Sequence, residues 1–233
     1  MPDSAPILTF AEARLPLDAT GFLTGPIDLA VLPDELLLID LAEPRRLAAF
    51  ADAVCGCLPG IEGGIAFLRR DWRLEPPEKA QALRGRLGRA FSDDAWLPWL
   101  TVSDNVILGP HYHTRIPSGT LRAEAARVAA WFGLPGLPVD FPEAMTVRDL
   151  ARAALVRAFL GTPRLVVLED PTAVLGAEVL PGLLAAIRSV RDDGGAVLWL
   201  THDGALVRER ALPATQRWRL VGSRLAAVSE RVG

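Results

Sequence analysis

Two acids and one histidine are the residues best placed to do chemistry. Glu169 and Asp170 close the run Leu165-Val-Val-Leu-Glu-Asp-Pro-Thr, and His202 follows Val197-Leu-Trp-Leu-Thr. Each run is short, apolar and rich in strand formers, so each predicts a buried strand. Acids at the carboxyl end of such a strand are costly unless something compensates them. In open α/β sheets that end is also where ligands sit. If the two strands are neighbours, three titratable groups converge on one edge. The alternative is a strand that ends in solvated acids, and these segments alone leave both readings open.

The elements that must position these groups alternate. Ile7–Phe10 and Ile27–Leu32 predict a small antiparallel sheet, which leads into a buried strand over Glu35–Asp40. Residues 43–57 follow a helical period through Leu47, Phe50, Ala51 and Val54, with Pro44 suited to the first turn. Leu58–Gly64 reads as a glycine-rich turn, Ile65–Leu68 as a strand and residues 76–89 as a polar, arginine-rich connector. Thr101 opens a short helix. Residues 118–133 form an amphipathic helix with Ser118 as its N-cap, and Met145–Leu160 form another. Gly176–Val190 is a helix, and Gln216–Leu220 with Arg224–Val228 is a closing hairpin. This order predicts an α/β fold with a mainly parallel sheet. A single domain over 1–233 is expected: residues 1–89 and 161–233 form the core and β subdomain, and 90–160 a helical subdomain.

The bulk composition narrows the function classes. Half of the 233 residues are hydrophobic, enough for a sizeable core, and the net charge of −3 argues against a nucleic-acid partner. No apolar run is long enough to span a bilayer. The start, Met1 to Pro6, lacks the features of a secretory leader. Cys55 and Cys57 stand too close together for a good disulfide and are too few for a zinc site. Lys79 is the only lysine among 25 basic residues, a notable bias because phosphate-binding loops use lysine.

In order and spacing the chain resembles the ATP-binding cassette (ABC) ATPases, the motor subunits of ABC transporters. Leu155 to Thr172 looks like their passage into the Walker B strand, and Val197–Asp203 like their switch-histidine strand. Leu97–Val106 looks like the segment after their glutamine loop, and Phe141–Met145 stands where their signature motif approaches. Asp104-Asn-Val, His113–Pro117 and Ala151–Ala158 look most like the ATPase subunit of Mla-type (MCE-associated) phospholipid transporters. The resemblance implies a P-loop NTPase-like fold. It also implies a dimer whose sites are shared between a cradle and the opposite signature, ATP with Mg²⁺, and a permease partner. By the same alignment Glu169 takes the Mg²⁺-supporting place, Asp170 that of the general base and His202 that of the switch.

The cradle should occupy Leu41–Ala49, which contains no glycine, lysine or hydroxyl. Leu47 stands at the lysine position and Ala48 at the Mg²⁺ hydroxyl. Glu43 faces phosphate with like charge, and Pro44 removes an amide. Arg45 and Arg46 offer charge only. Ser92 replaces the loop glutamine. In the signature, Thr146 keeps a hydroxyl while Val147 and Arg148 replace glycines. Asp170 is one methylene shorter than glutamate, which costs perhaps 10²-fold in positioning water. The expectation is a pseudo-ATPase with vestigial Glu169, Asp170 and His202, weak phosphate candidates at Arg45, Arg46, Ser92, Thr146 and Arg148, and no cofactor. It lies in the cytoplasm on the inner face of the membrane, pairs with itself or with an intact ATPase, and meets a permease through Trp96 and Trp99. The alternatives are a divergent active ATPase, which would need ATP and Mg²⁺, and a soluble regulatory scaffold.

Overall fold

The computed structural model describes residues 5–92 and 95–228. Met1–Ser4, where a leader was not expected, and Asp93 and Asp94 beside Ser92 lie outside the described residues. The chain begins with β1 (Leu8–Arg14), β2 (Ile27–Val31), β3 (Leu36–Asp40), α1 (Pro44–Val54), β4 (Glu62–Phe67) and β5 (Arg70–Asp71). Next come α2 (Pro77–Arg84), β6 (Leu87–Ala90), α3 (Val102–His113), α4 (Ser118–Trp131) and α5 (Val147–Phe159). Then follow β7 (Leu165–Glu169), α6 (Leu180–Asp192), β8 (Ala196–Thr201), β9 (Gln216–Val221) and β10 (Arg224–Ala227).

A six-stranded sheet in the order β10-β9-β3-β8-β7-β6 carries the chemistry-bearing strands. From β9 to β6 its pairings are parallel; only β10 runs antiparallel. The central strands are buried on both faces, which explains their unbroken apolar runs. Leu37, Ile39, Leu165, Val167, Leu198 and Leu200 face a core shared with α1 and the β subdomain. Leu36, Leu38, Val166, Leu168, Val197 and Trp199 face a second core shared with α3 to α6. This strict alternation is the period-2 pleat. The antiparallel sheet has the order β2-β1-β4-β5, so the strand expected at Ile65–Leu68 returns to pair with the N-terminal hairpin.

Residues 76–89 are not a connector. They contain α2 and the edge strand β6 of the main sheet. Both escape pattern reading because α2 buries only Ala80, while β6 is the four-residue Leu-Gly-Arg-Ala. Gly88 is required there: a Cβ would stand 1.8 Å from the Ala158 carbonyl oxygen of α5. Ser118 is the first helical residue rather than the cap. Pro117 holds the cap position, and no side chain bonds the free amides. The helix expected from Gly176 starts as a 3-10 turn over Gly176–Val179 and becomes α6 at Leu180.

The two cysteines are free, Cys55 buried and Cys57 exposed. Burial pushes the Cys55 thiol up to about 12, so it is protonated at neutral pH and unreactive. Titration of the native chain with a thiol reagent should modify one cysteine, Cys57, and denaturant should release the second. Modification of both thiols in the native state would contradict this burial.

Candidate functional site

β7 and β8 are adjacent and parallel, with Glu169 opposite Leu200, so the three groups do meet at the carboxyl edge. β3 lies on the far side of β8 and adds Asp40 to that edge. The sequence reading used Asp40 only as a strand end, but it is a fourth titratable group there and, like Glu169, it is buried.

Each acid at this edge is bonded to a basic or imidazole side chain of the protein. Asp40 accepts from Arg219 Nε at 2.7 Å and from the Ala42 amide at 2.8 Å. Arg219 also donates to the Gly204 carbonyl at 3.0 Å. Glu169 Oε1 accepts from Arg89 Nε at 2.6 Å, and its Oε2 from the Ser92 hydroxyl at 2.9 Å. Asp170 pairs with His202 Nδ1 and accepts from the His202 amide at 3.3 Å. Asp170 takes a left-handed φ of 43°, an unfavourable conformation for a non-glycine residue. It is held there by its own amide donating to the Leu200 carbonyl.

The turn after β3 is closed by its own side chains. Ala42 has a φ of 64°, stabilised by its bond to Asp40 in an Asx-type turn. Arg45 and Arg46 do not stand free. Both pair with Glu43, Arg46 Nη2 at 2.8 Å. Arg46 also reaches Asp18 at 3.4 Å and lies 4.1 Å over the Phe22 ring. The Thr20 hydroxyl first, with Arg46 among further donors, holds the Asp18 carboxyl below its ordinary range.

The signature candidates are also engaged. Thr146 caps α5 by accepting from the Asp149 amide at 3.1 Å, and its hydroxyl donates to the Asp149 carboxylate at 2.8 Å. The Thr146 hydroxyl first, then Arg152 and Arg148, hold the Asp149 carboxyl below its ordinary range, so α5 begins beside a negative charge. Arg148 pairs with Glu178 and donates to the Val174 carbonyl at 3.1 Å.

Magnesium and ATP are what the resemblance implies, and the residues present do not fit them. Phosphate binding at a helix start needs bare amides and close backbone approach. Here Pro44 lies at that start, and the charged side chains beside it, Glu43 and Arg46, are paired with each other and Arg46 with Asp18. A metal ion needs carboxylate oxygens, and both of those on Glu169 are already bonded.

Trp96 and Trp99, the residues expected to meet a partner, stand in different surroundings. A groove of about 1200 Å³ runs along β6, between that strand and α3 and α4. Ala95 and Leu97 belong to its wall, together with Arg86, Phe91, Leu108 and Trp131. Trp96 does not line it. This tryptophan packs against the core beneath α3 to α5, with the Arg157 guanidinium 4.6 Å from its ring. Arg157 also donates to the Ala95 carbonyl at 2.7 Å, and burial pulls it down to about 10. Trp99 is 70% exposed and stands on the turn leading into α3.

No family model matches the chain. The thiamine import ATP-binding protein ThiQ of Cereibacter sphaeroides is 33% identical over 153 residues, 65% of this chain and 63% of that protein. The aliphatic sulfonates import ATP-binding protein SsuB 2 of Pseudomonas aeruginosa is 31% identical over 175 residues, 71% of this chain and 60% of that protein. The arginine transport ATP-binding protein ArgV of Corynebacterium glutamicum is 29% identical over 149 residues, 63% of this chain and 59% of that protein. The chain thus spans about three fifths of the length of these relatives. Among solved structures, the dimeric MJ0796, a bacterial ABC transporter cassette, superposes with a TM-score of 0.79 at 16% identity. That match covers 95% of this chain and 99% of that one. An ATP-binding subunit of an ABC transporter gives a TM-score of 0.79 at 15% identity, over 96% of this chain and 90% of that one. With its parallel sheet, antiparallel β subdomain and inserted helices, the chain has the ATP-binding cassette fold, and over about three fifths of their length it is similar in sequence to ATP-binding subunits of ABC transporters.

Proposed function

We propose that the chain is a transporter-associated pseudo-ATPase: a cassette that docks beneath a membrane permease, alone or paired with an intact ATPase, and does not hydrolyse ATP. One observation carries this reading. The fold's nucleotide edge is filled by internal pairs, Asp40–Arg219, Glu169–Arg89, Asp170–His202 and Arg46–Glu43. Nucleotide would have to displace several of them, and the turn at Ala42–Pro44 offers no glycine amides in return. The active alternative would need Arg45 and Arg46 for phosphate, yet both are engaged with Glu43.

Docking places the chain on the inner face of a membrane as a peripheral subunit. No described helix is long and apolar enough to cross a membrane. The groove along β6 receives the permease, with exposed Trp99 as a contact and Trp96 holding the wall through Arg157. Import of small polar solutes has support in the names of the relatives, and phospholipid transport in the stretches at Asp104, His113 and Ala151. In this reading the permease sets the substrate.

Isothermal titration of the purified chain with Mg-ATP is expected to show no binding up to about 1 mM, and micromolar binding would overturn the pseudo-ATPase reading. In a pull-down of the permease from membranes, Trp99→Ala should lose most of the association. Retention at the wild-type level in both Trp96→Ala and Trp99→Ala would remove the docking site.

A further inference from the structure

We infer that Arg89 is a resident cation that replaces a metal ion at the sheet edge, bridging the β7 acid to α1 in a permanently metal-free arrangement. This rests on the assignment of Glu169 to the Mg²⁺-supporting place. The Glu169 side chain is wholly buried and Arg89 is 11% exposed. A buried carboxylate needs a cation and hydrogen bonds, or it is prohibitively costly. One oxygen is met by Arg89 and the other by Ser92, through its hydroxyl and through its amide at 3.3 Å.

The rest of the guanidinium reaches across to α1. Nη1 donates to Asp52 at 2.5 Å and Nη2 to the Ala48 carbonyl at 3.3 Å. The Phe91 ring lies 4.3 Å from its central carbon. Burial works against the charge on Arg89, but Glu169 and its other partners more than offset this and raise its pKa. The fork thus ties β6, β7 and α1 together. A divalent ion beside Glu169 would face this guanidinium across a few ångströms of low-dielectric interior, so the two exclude each other.

Without the arginine, the surrounding groups are two carboxylates, a hydroxyl and a carbonyl: an all-oxygen set suited to a hard divalent cation. The test is Mn²⁺ titration by electron paramagnetic resonance, with thermal unfolding of the whole chain. The wild type should bind no Mn²⁺ at this site and show no change in midpoint. Arg89→Ala should melt about 10 °C lower, bind one Mn²⁺ and recover most of the loss with it. Arg89→Ala combined with Glu169→Gln should not recover. Should Arg89→Ala fail to fold, the paired variant Arg89→Met with Glu169→Met removes both charges. It should melt within about 4 °C of the wild type and ignore Mn²⁺. Glu169-dependent Mn²⁺ binding by the wild type would overturn the inference. So would an Arg89→Ala chain of wild-type stability, Mn²⁺ rescue that survives Glu169→Gln, or a paired variant as unstable as Arg89→Ala. Metal alone is the probe, so failure here is distinct from Mg-ATP binding, which would sink the functional reading.

Discussion

Glu169→Ala should destabilise the chain by about 3–5 kcal/mol, the usual consequence of leaving a buried partner charge uncompensated. The argument is geometric. Arg89 is nearly enclosed, and in β6 it cannot turn to solvent without breaking its bonds to Asp52 and the Ala48 carbonyl. Asp170→Ala should behave differently. Its partner His202 is 42% exposed, so the pair is partly solvated and contributes at most about 1 kcal/mol. Two adjacent acids therefore separate by their effect on folding. Urea unfolding measures this directly, as a large fall in midpoint for Glu169→Ala and a small one for Asp170→Ala. Equal midpoints for Glu169→Ala and the wild type would show that the acid is held for chemistry rather than for structure.

Gly88→Ala should be the most damaging small substitution in the sheet. The added carbon would sit 1.8 Å from the Ala158 carbonyl oxygen, and the neighbour is helix backbone rather than a mobile side chain. Either α5 or β6 has to move. Moving β6 shifts Arg89 away from Glu169 and Phe91 away from the groove wall. Overpacking of this kind costs about 3 kcal/mol or more, and under the proposed docking the same change should weaken permease association. Gly109→Ala is the control, because nothing lies within 4 Å of a Cβ at that position. Circular dichroism melts of the two variants would decide it, and a Gly88→Ala chain as stable as the control would refute the close approach.

These expectations mark how far the sequence could be read. The strands at 35–40, 165–168 and 196–200 were legible because burial on both faces demands continuous apolar runs. The helices at 43–57 and 118–133 were legible from their period. β6 was not, because an edge strand of Leu-Gly-Arg-Ala has neither length nor alternation. Arg89, the central residue of the site, was missed along with it. Nothing local distinguishes it from Arg84 or Arg86. What singles it out is a carboxylate 80 residues away in sequence.

By itself the sequence determined the order of elements, the acids and histidine at strand ends, and the lack of glycine, lysine and hydroxyl at Leu41–Ala49. Those are properties of residue type and spacing. Only the tertiary structure decided what became of the groups that remained. Register set Glu169 beside Arg89, Asp170 beside His202, and Asp40 beside Arg219. The turn at Ala42 brought Arg46 onto Glu43 and Asp18. An ion pair depends on distance in space, and strand pairing and helix packing set that distance between residues far apart in the chain.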